Sequence, residues 1–263
     1  MNQPSPADRF DRVVARLRAA GCVFAEDEAR LLLAATDDPA ELAELVRRRV
    51  DGLPLEQVLG WAEFLGLRIV VEPGVFVPRR RTELLAREAI AAARESGPRP
   101  LVVDLCCGSG AVGAAVLAAV PAAQVHAADV DAAAVRCARR NLPADRVHAG
   151  DLDEALPAAL RGRVDVLAVN APYVPTERIP LMPPEAREHE PATALDGGAD
   201  GLALHRRVAA VAPGLLAPGG VLLIETSTEQ AAGTAAALRA HGLLPRTVDD
   251  PDVAGTVVRG TTR

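Results

Sequence analysis

From Thr82 to the end of the chain, short β-branched apolar runs alternate with Ala- and Leu-rich runs of helical period. That alternation leaves few folds open. It predicts helices over residues 82–95, 111–119, 132–141, 202–211 and 228–241, with a short one at 153–160. It predicts strands over 101–105, 124–128, 146–149, 164–169, 221–224 and 256–259. Strands and helices in strict alternation make an α/β protein, a parallel sheet covered by helices on both faces. Such a sheet binds its ligand outside the carboxyl ends of the strands.

The stretch before Thr82 is organised differently. Phe10, Val13, Val14 and Leu17 fall on one helical face, and residues 22–35 and 41–50 repeat the pattern. Between 51 and 78, Gly52, Pro54, Gly60, Gly66, Pro73 and Gly74 punctuate the chain. There Leu67 to Val71 and Val75 to Val77 read as two strands turned at Glu72-Pro73-Gly74. The expected organisation is a helical domain at 1–50, a hairpin linker at 51–80 and an α/β domain at 81–263. At 49% hydrophobic and 24% charged residues, 263 residues can bury a large core.

Charge and composition exclude several classes. The net charge is −6, which gives no sign of a phosphate-tracking surface. All 29 cationic residues are arginine, so no Schiff-base or Walker lysine is available. No apolar run is long enough for a signal peptide or a membrane span. Cys22, Cys106, Cys107 and Cys137 form no C-x-x-C pair and have no histidines at zinc spacing. A reduced, cytoplasmic protein without metal is the expectation.

Four successive strands each deliver an acid or amide to the same rim. The first ends in Asp104-Leu105-Cys106-Cys107-Gly108-Ser109-Gly110, the second in Asp129; the third is followed by Asp151-Leu152, and the fourth by Asn170-Ala171-Pro172-Tyr173. Single acids at such places serve as helix caps, and Asp131 fills that role beside Asp129. Gly108, Gly110 and Gly113 fit a dinucleotide G-x-G-x-x-G. However, Asp104 opens the loop and no cation stands near to meet a pyrophosphate. An acid there repels phosphate and suits a sulfonium with an amino-acid tail, so S-adenosylmethionine is preferred to NAD. Asp129 is placed for the ribose hydroxyls and Asp151-Leu152 for the adenine.

The tetrapeptide at 170–173 carries the transfer chemistry. A planar nitrogen is a poor nucleophile because its lone pair is delocalised. The Asn170 side-chain oxygen and the Ala171 carbonyl can accept both of its N–H groups and aim it at the methyl group. Pro172 stiffens the turn. Tyr173, the one tyrosine in the chain, can stack on the planar group.

Three longer segments resemble a known family. They are Gly52-Leu53-Pro54-Leu55-Glu56-Gln57-Val58-Leu59-Gly60, Phe76-Val77-Pro78-Arg79-Arg80-Arg81-Thr82-Glu83, and the Glu190-Pro191 to Gly201-Leu202 block. Together they resemble the HemK/PrmC protein-(glutamine N5) methyltransferases over nearly the whole chain. The resemblance implies a class I, Rossmann-like methyltransferase domain with a seven-stranded, mostly parallel sheet, and an N-terminal domain that docks the substrate. It also implies S-adenosylmethionine as methyl donor, and as partner a protein: the Gly-Gly-Gln loop of a peptide chain release factor, or a ribosomal protein. Two departures mark a paralogous branch: Cys106 and Cys107 stand in the glycine loop, and Ala171 replaces the first proline of N-P-P-Y. Related tetrapeptides also serve exocyclic adenine nitrogens, so an amino methyltransferase of DNA or RNA is the rival reading. A cofactor-binding module that has lost activity is a third. Neither a membrane nor direct contact with nucleic acid is expected, and the chain is expected to be a monomer.

Overall fold

The computed structural model describes residues 5–262. Three helices open the chain: α1 (Pro6–Ala19), α2 (Ala25–Ala35) and α3 (Pro39–Val50). Ser5 and Asp8 form a capping box on α1, and the Asp38 carboxylate caps α3, so each start is set by its own sequence. The three helices bury Val13, Val14, Leu17, Ala29, Leu32, Leu42 and Val46 against one another. A buried ion pair, Arg49–Glu28 at 2.6 Å, adds a polar clamp within this layer.

The linker holds a short helix α4 (Leu55–Leu59) and a hairpin, β1 (Trp61–Phe64) paired with β2 (Leu67–Val70). This hairpin lies one strand earlier than the pattern predicts. Leu65 and Gly66, at φ +50° and +77°, make the two-residue turn with positive φ at both positions that twisted hairpins favour. Val75 and Val77 are buried but join no strand; the Val77 N–H donates to Glu190 Oε1 instead.

From α5 (Thr82–Glu95) on, the alternation is realised: β3 (Leu101–Leu105), α6 (Ala111–Ala119), β4 (Gln124–Asp129), α7 (Ala132–Ala138), β5 (Val147–Ala149) and β6 (Val164–Val169). After a strap bearing α8 (Pro184–His189) come α9 (Ala203–Leu215), β7 (Leu216–Thr226), α10 (Ala231–Ala240), β8 (Leu244–Asp250) and β9 (Gly255–Thr261). The seven-stranded sheet runs β5-β4-β3-β6-β7-β9-β8. It is parallel except for β9, which is antiparallel to both β7 and β8. One face packs on α5 and α6 through Val102, Val166 and Leu223; the other packs on α9 and α10 through Val103, Leu167 and Leu222. Successive residues of each strand thus feed opposite cores.

Several boundaries depart from the periodic pattern. Helix α7 ends at Ala138 rather than residue 141, because Arg140 and Asn141 tighten into i→i−3 bonds before Pro143. The predicted helix at 153–160 is two short 3₁₀ turns, Leu152–Ala155 and Ala158–Leu160. Strand β8 has no counterpart in the pattern; it is an edge strand, largely exposed, with Pro245 near its start. No helix of the described residues is long and apolar enough to cross a membrane.

Candidate active site

A cavity of about 1000 Å³ opens above the carboxyl ends of β3, β4 and β6. Chain order runs outward in opposite directions from β3 and β6, so the cavity sits at the topological switch point. Asp104, Cys106, Cys107, Gly108, Ser109, Asp129, Asp151, Leu152, Asn170, Ala171, Pro172 and Tyr173 all line it. Gly110 does not. It starts α6 in the left-handed region, and a side chain there would meet Leu142 at 2.9 Å, away from the cavity.

The β3 side of the cavity is acidic. Asp104 is 2% exposed and accepts the Gly113 N–H at 2.8 Å. Burial, only partly offset by that bond, pushes its carboxyl up to about 7. Asp129 accepts the Gly108 N–H on Oδ2 and the Asp131 N–H on Oδ1, each at 2.9 Å. Each oxygen keeps a lone pair for another donor. Asp131 caps α7 through the Ala133 N–H, as its position implied. Asp151 carries no cap bond and pairs with Arg207 at 2.6 Å. Cys106, at φ +58°, occupies a conformation that suits glycine, and Leu152 does the same at φ +47°. Burial raises the thiols of Cys106 and Cys107 far above the usual range, which keeps both protonated.

The β6 side holds the loop at 170–173. Asn170 Nδ2 donates to Thr82 Oγ1 at 3.3 Å. The Ala171 side chain is buried, and its carbonyl accepts no hydrogen bond from the described residues. The Tyr173 hydroxyl donates to Glu225 Oε1 at 3.2 Å. The Glu190-to-Leu202 block packs against the loop and lines the cavity with it from Glu190 to Gly198. The Val174 N–H donates to the Leu195 carbonyl, and the Gly197 N–H donates back to the Val174 carbonyl. Side chains at Gly197 or Gly201 would stand 2.7 Å from Tyr173 Cα or 2.3 Å from the Tyr173 carbonyl. Only glycine permits this approach. Glu190 anchors the block's start: its side chain is fully buried, pairs with Arg79 at 2.6 Å and accepts the Val77 N–H. Gln57, from the linker, donates to the Val75 and His189 carbonyls. The three segments singled out in the sequence are therefore joined to one another: Gln57 and Arg79 meet the start of the Glu190-to-Leu202 block, whose glycines press on Tyr173.

Residues 66–180 match the Methyltransferase small domain family. A release factor glutamine methyltransferase of Streptomyces coelicolor is 42% identical over 197 residues, 74% of this chain and 70% of that protein. The chain belongs to the release factor glutamine methyltransferase family. A second relative, the 4-amino-L-phenylalanine/4-methylamino-L-phenylalanine methyltransferase of Streptomyces pristinaespiralis, is 38% identical over 91% of this chain and 89% of its own length. A crystal structure of a methyltransferase from Pyrococcus furiosus, 16% identical, covers 75% of this chain and 89% of that one with a TM-score of 0.53, which shows the shared fold.

The methyltransferase is S-adenosylmethionine-dependent, and its cavity fits that cofactor. A nearly water-free carboxyl at Asp104, with one hydrogen bond and no cation among the described residues, is an environment that a cationic ligand completes. Sequence reasoning overlooked four side chains. Thr82, Glu225 and Gln230 hold the loop at 170–173 from behind, Gln230 through the Tyr173 and Asp200 carbonyls. Arg207 holds Asp151. Thr82 lies in a segment already singled out; Glu225 carried no local signal beyond closing an apolar run, and Gln230 carried none.

Proposed function

We propose that this enzyme transfers a methyl group from S-adenosylmethionine to the side-chain amide nitrogen (N5) of a glutamine in a protein, the glutamine of the Gly-Gly-Gln loop of a peptide chain release factor. One observation carries the reading. Thr82 engages the Asn170 Nδ2 group, which leaves Asn170 Oδ1 and, on the next residue, the Ala171 carbonyl uncommitted among the described residues. Two free acceptors on successive residues of a cavity-lining loop are what a planar –NH₂ needs to be held by both hydrogens. When bound, the cofactor supplies an electrophilic methyl group on a sulfonium. Asn170 and Ala171 then orient the nitrogen lone pair toward that methyl group, and Pro172 limits the loop's freedom. The Tyr173 ring, fixed by its hydroxyl, offers a flat apolar face to the amide plane. On the cofactor side, Asp129 receives the ribose hydroxyls, and Asp104 with the Cys106-to-Ser109 turn receives the amino-acid end. Asp151 and Leu152 flank the adenine.

A second reading has an observation of its own. The same two acceptors would hold an aromatic amine, as in the acceptor for which the Streptomyces pristinaespiralis relative is named. Arg81 lines the cavity, is exposed and forms no ion pair among the described residues, so it can meet the carboxylate of a free amino acid. Labelled S-adenosylmethionine, offered in parallel with release factor, ribosomal protein, 4-amino-L-phenylalanine and unmethylated DNA, separates the cases. Label on release factor is the expected result. Label on the amino acid alone selects the second reading, and label on DNA alone sinks both. Asn170→Ala is expected to remove transfer while cofactor still binds; wild-type turnover in that variant refutes the assigned role.

A further inference from the structure

Asn170 can show its carbonyl oxygen to an acceptor only while its amide stays in one of two flips, and the open cavity does not choose between them. The choice is made behind the loop. Because Thr82 Oγ1 accepts from Asn170 Nδ2, the single hydroxyl proton of Thr82 must point elsewhere. Glu225, near the end of β7, is 2% exposed. It has the strand parity of Leu223, which packs into the core around α5, so its side chain faces the helix end where Thr82 stands. Its Oε1 accepts the Tyr173 hydroxyl at 3.2 Å, the Thr82 hydroxyl stands near enough to favour its charged form, and Oε2 has no hydrogen-bond partner among the described residues. A carboxylate can only accept, so a hydroxyl facing it must donate.

We propose that Glu225 is a positioning residue for methyl transfer: a buried acceptor that fixes donation in the order Asn170 to Thr82 to Glu225, anchors the Tyr173 ring, and so keeps Asn170 Oδ1 turned toward the substrate nitrogen. Glu225 is not among the residues lining the cavity and acts only through the side chains in front of it. Burial raises its pKa, while Arg81 and the two hydroxyls favour the charged, accepting form. Replacing this acid by its amide would introduce a donor. Thr82 could then accept from residue 225 and donate to Asn170, which reverses the chain and turns the Asn170 amide over.

The inference rests on Asn170 being the acceptor of the substrate N–H, and its test keeps the two apart. Glu225→Gln is expected to lower kcat roughly 10- to 100-fold, the scale of a misoriented reacting group, with acceptor KM and cofactor affinity unchanged. Thr82→Val should show the same loss, and Thr82→Ser, which restores the hydroxyl, should recover most of it. The Glu225→Gln/Thr82→Val double variant should be no slower than either single one. Tyr173 is the sole tyrosine, so ¹³Cζ-tyrosine labelling yields one resonance, which should move in Glu225→Gln. Should Glu225→Gln not fold, Glu225→Asp, which keeps the charge but withdraws the carboxyl, must show the same kcat loss and shifted resonance. Wild-type kcat in a folded Glu225 variant, or an unmoved Tyr173 resonance, overturns the proposal. If the unmutated enzyme methylates none of the acceptors, the proposed function falls, and the resonance still decides whether Glu225 anchors the ring.

Discussion

The contact between Gly201 and the Tyr173 carbonyl makes Gly201→Ala the sharpest test of how the site is supported. Gly201 has φ +74°, and a Cβ there would lie 2.3 Å from the Tyr173 carbonyl oxygen and 2.1 Å from Gln230 Nε2. The oxygen must retreat by roughly 0.7 Å to reach even the shortest tolerated contact, and backbone cannot swing aside as a long side chain can. Left-handed strain on alanine costs about 1 kcal/mol. Gln230 donates to the Tyr173 and Asp200 carbonyls at 2.9 and 3.0 Å, and losing both costs about 1 kcal/mol each. The total, roughly 3 kcal/mol, corresponds to a Tm fall of roughly 5–10 °C for a chain of this size. The displaced carbonyl is three residues from Asn170, so kcat should drop by about 10²-fold. Cofactor affinity should hold, because Asp129 and Asp104 lie on other strands. Scanning calorimetry, cofactor titration and single-turnover transfer measure the three quantities. Gly214→Ala is the control: nothing lies within 4 Å of a Cβ there, so it should be neutral or stabilising. Wild-type turnover in Gly201→Ala refutes the argument that the Glu190-to-Leu202 block holds the loop at 170–173 in a working position.

Three further outcomes follow from the cofactor side. The Asp104 carboxyl titrates near 7 when folded, against an ordinary value of 3.8, so the folded state holds a proton that the unfolded state has released. Its contribution to stability is greatest below about pH 4 and declines as pH rises to about 7; Asp129, also pushed up by burial, acts in the same direction. A cationic cofactor favours the ionised form, so its affinity should climb as pH approaches 7, with proton release seen by calorimetry in buffers of different ionisation enthalpy; Asp104→Asn should flatten that slope. Asp129→Ala deprives the Gly108 and Asp131 N–H groups of their charged acceptor and should weaken cofactor binding by roughly 30- to 100-fold, and an unchanged Kd counts against the ribose contact. Cys106→Gly relieves left-handed strain of about 1 kcal/mol, partly offset by the freer unfolded chain, so Tm should rise by about 1–2 °C and exceed that of Cys106→Ala; a glycine variant less stable than the alanine one contradicts this.

The site's front surface was readable because polar residues interrupt apolar strands at their carboxyl ends: Asp104, Asp129 and Asn170 each follow such a run. Its supports were less readable. Gly197 and Gly201 stood out only through family resemblance, and nothing local says that they press on Tyr173. Glu225 ends an apolar strand much as Asp129 does, yet it faces inward to Thr82 and Tyr173 rather than into the cavity. The hairpin was placed wrongly because two apolar runs flank Glu72-Pro73-Gly74. The actual turn at Leu65-Gly66 needs a leucine in the left-handed region, which its neighbours do not announce.

By itself, the sequence determined the α/β class, most of the strands and the polar residues at their carboxyl ends, because periodicity and strand-end polarity are short-range properties written into neighbouring residues. Tertiary structure alone decided the strand order with its antiparallel edge, the removal of Gly110 from the cavity, and the meeting of Gln57 and Arg79 with His189 and Glu190. It also decided which end of the Asn170 amide is held, since its Nδ2 group donates to Thr82, 88 positions away in sequence. Contacts between distant segments arise from packing the whole chain at once, and no window of neighbouring residues contains them.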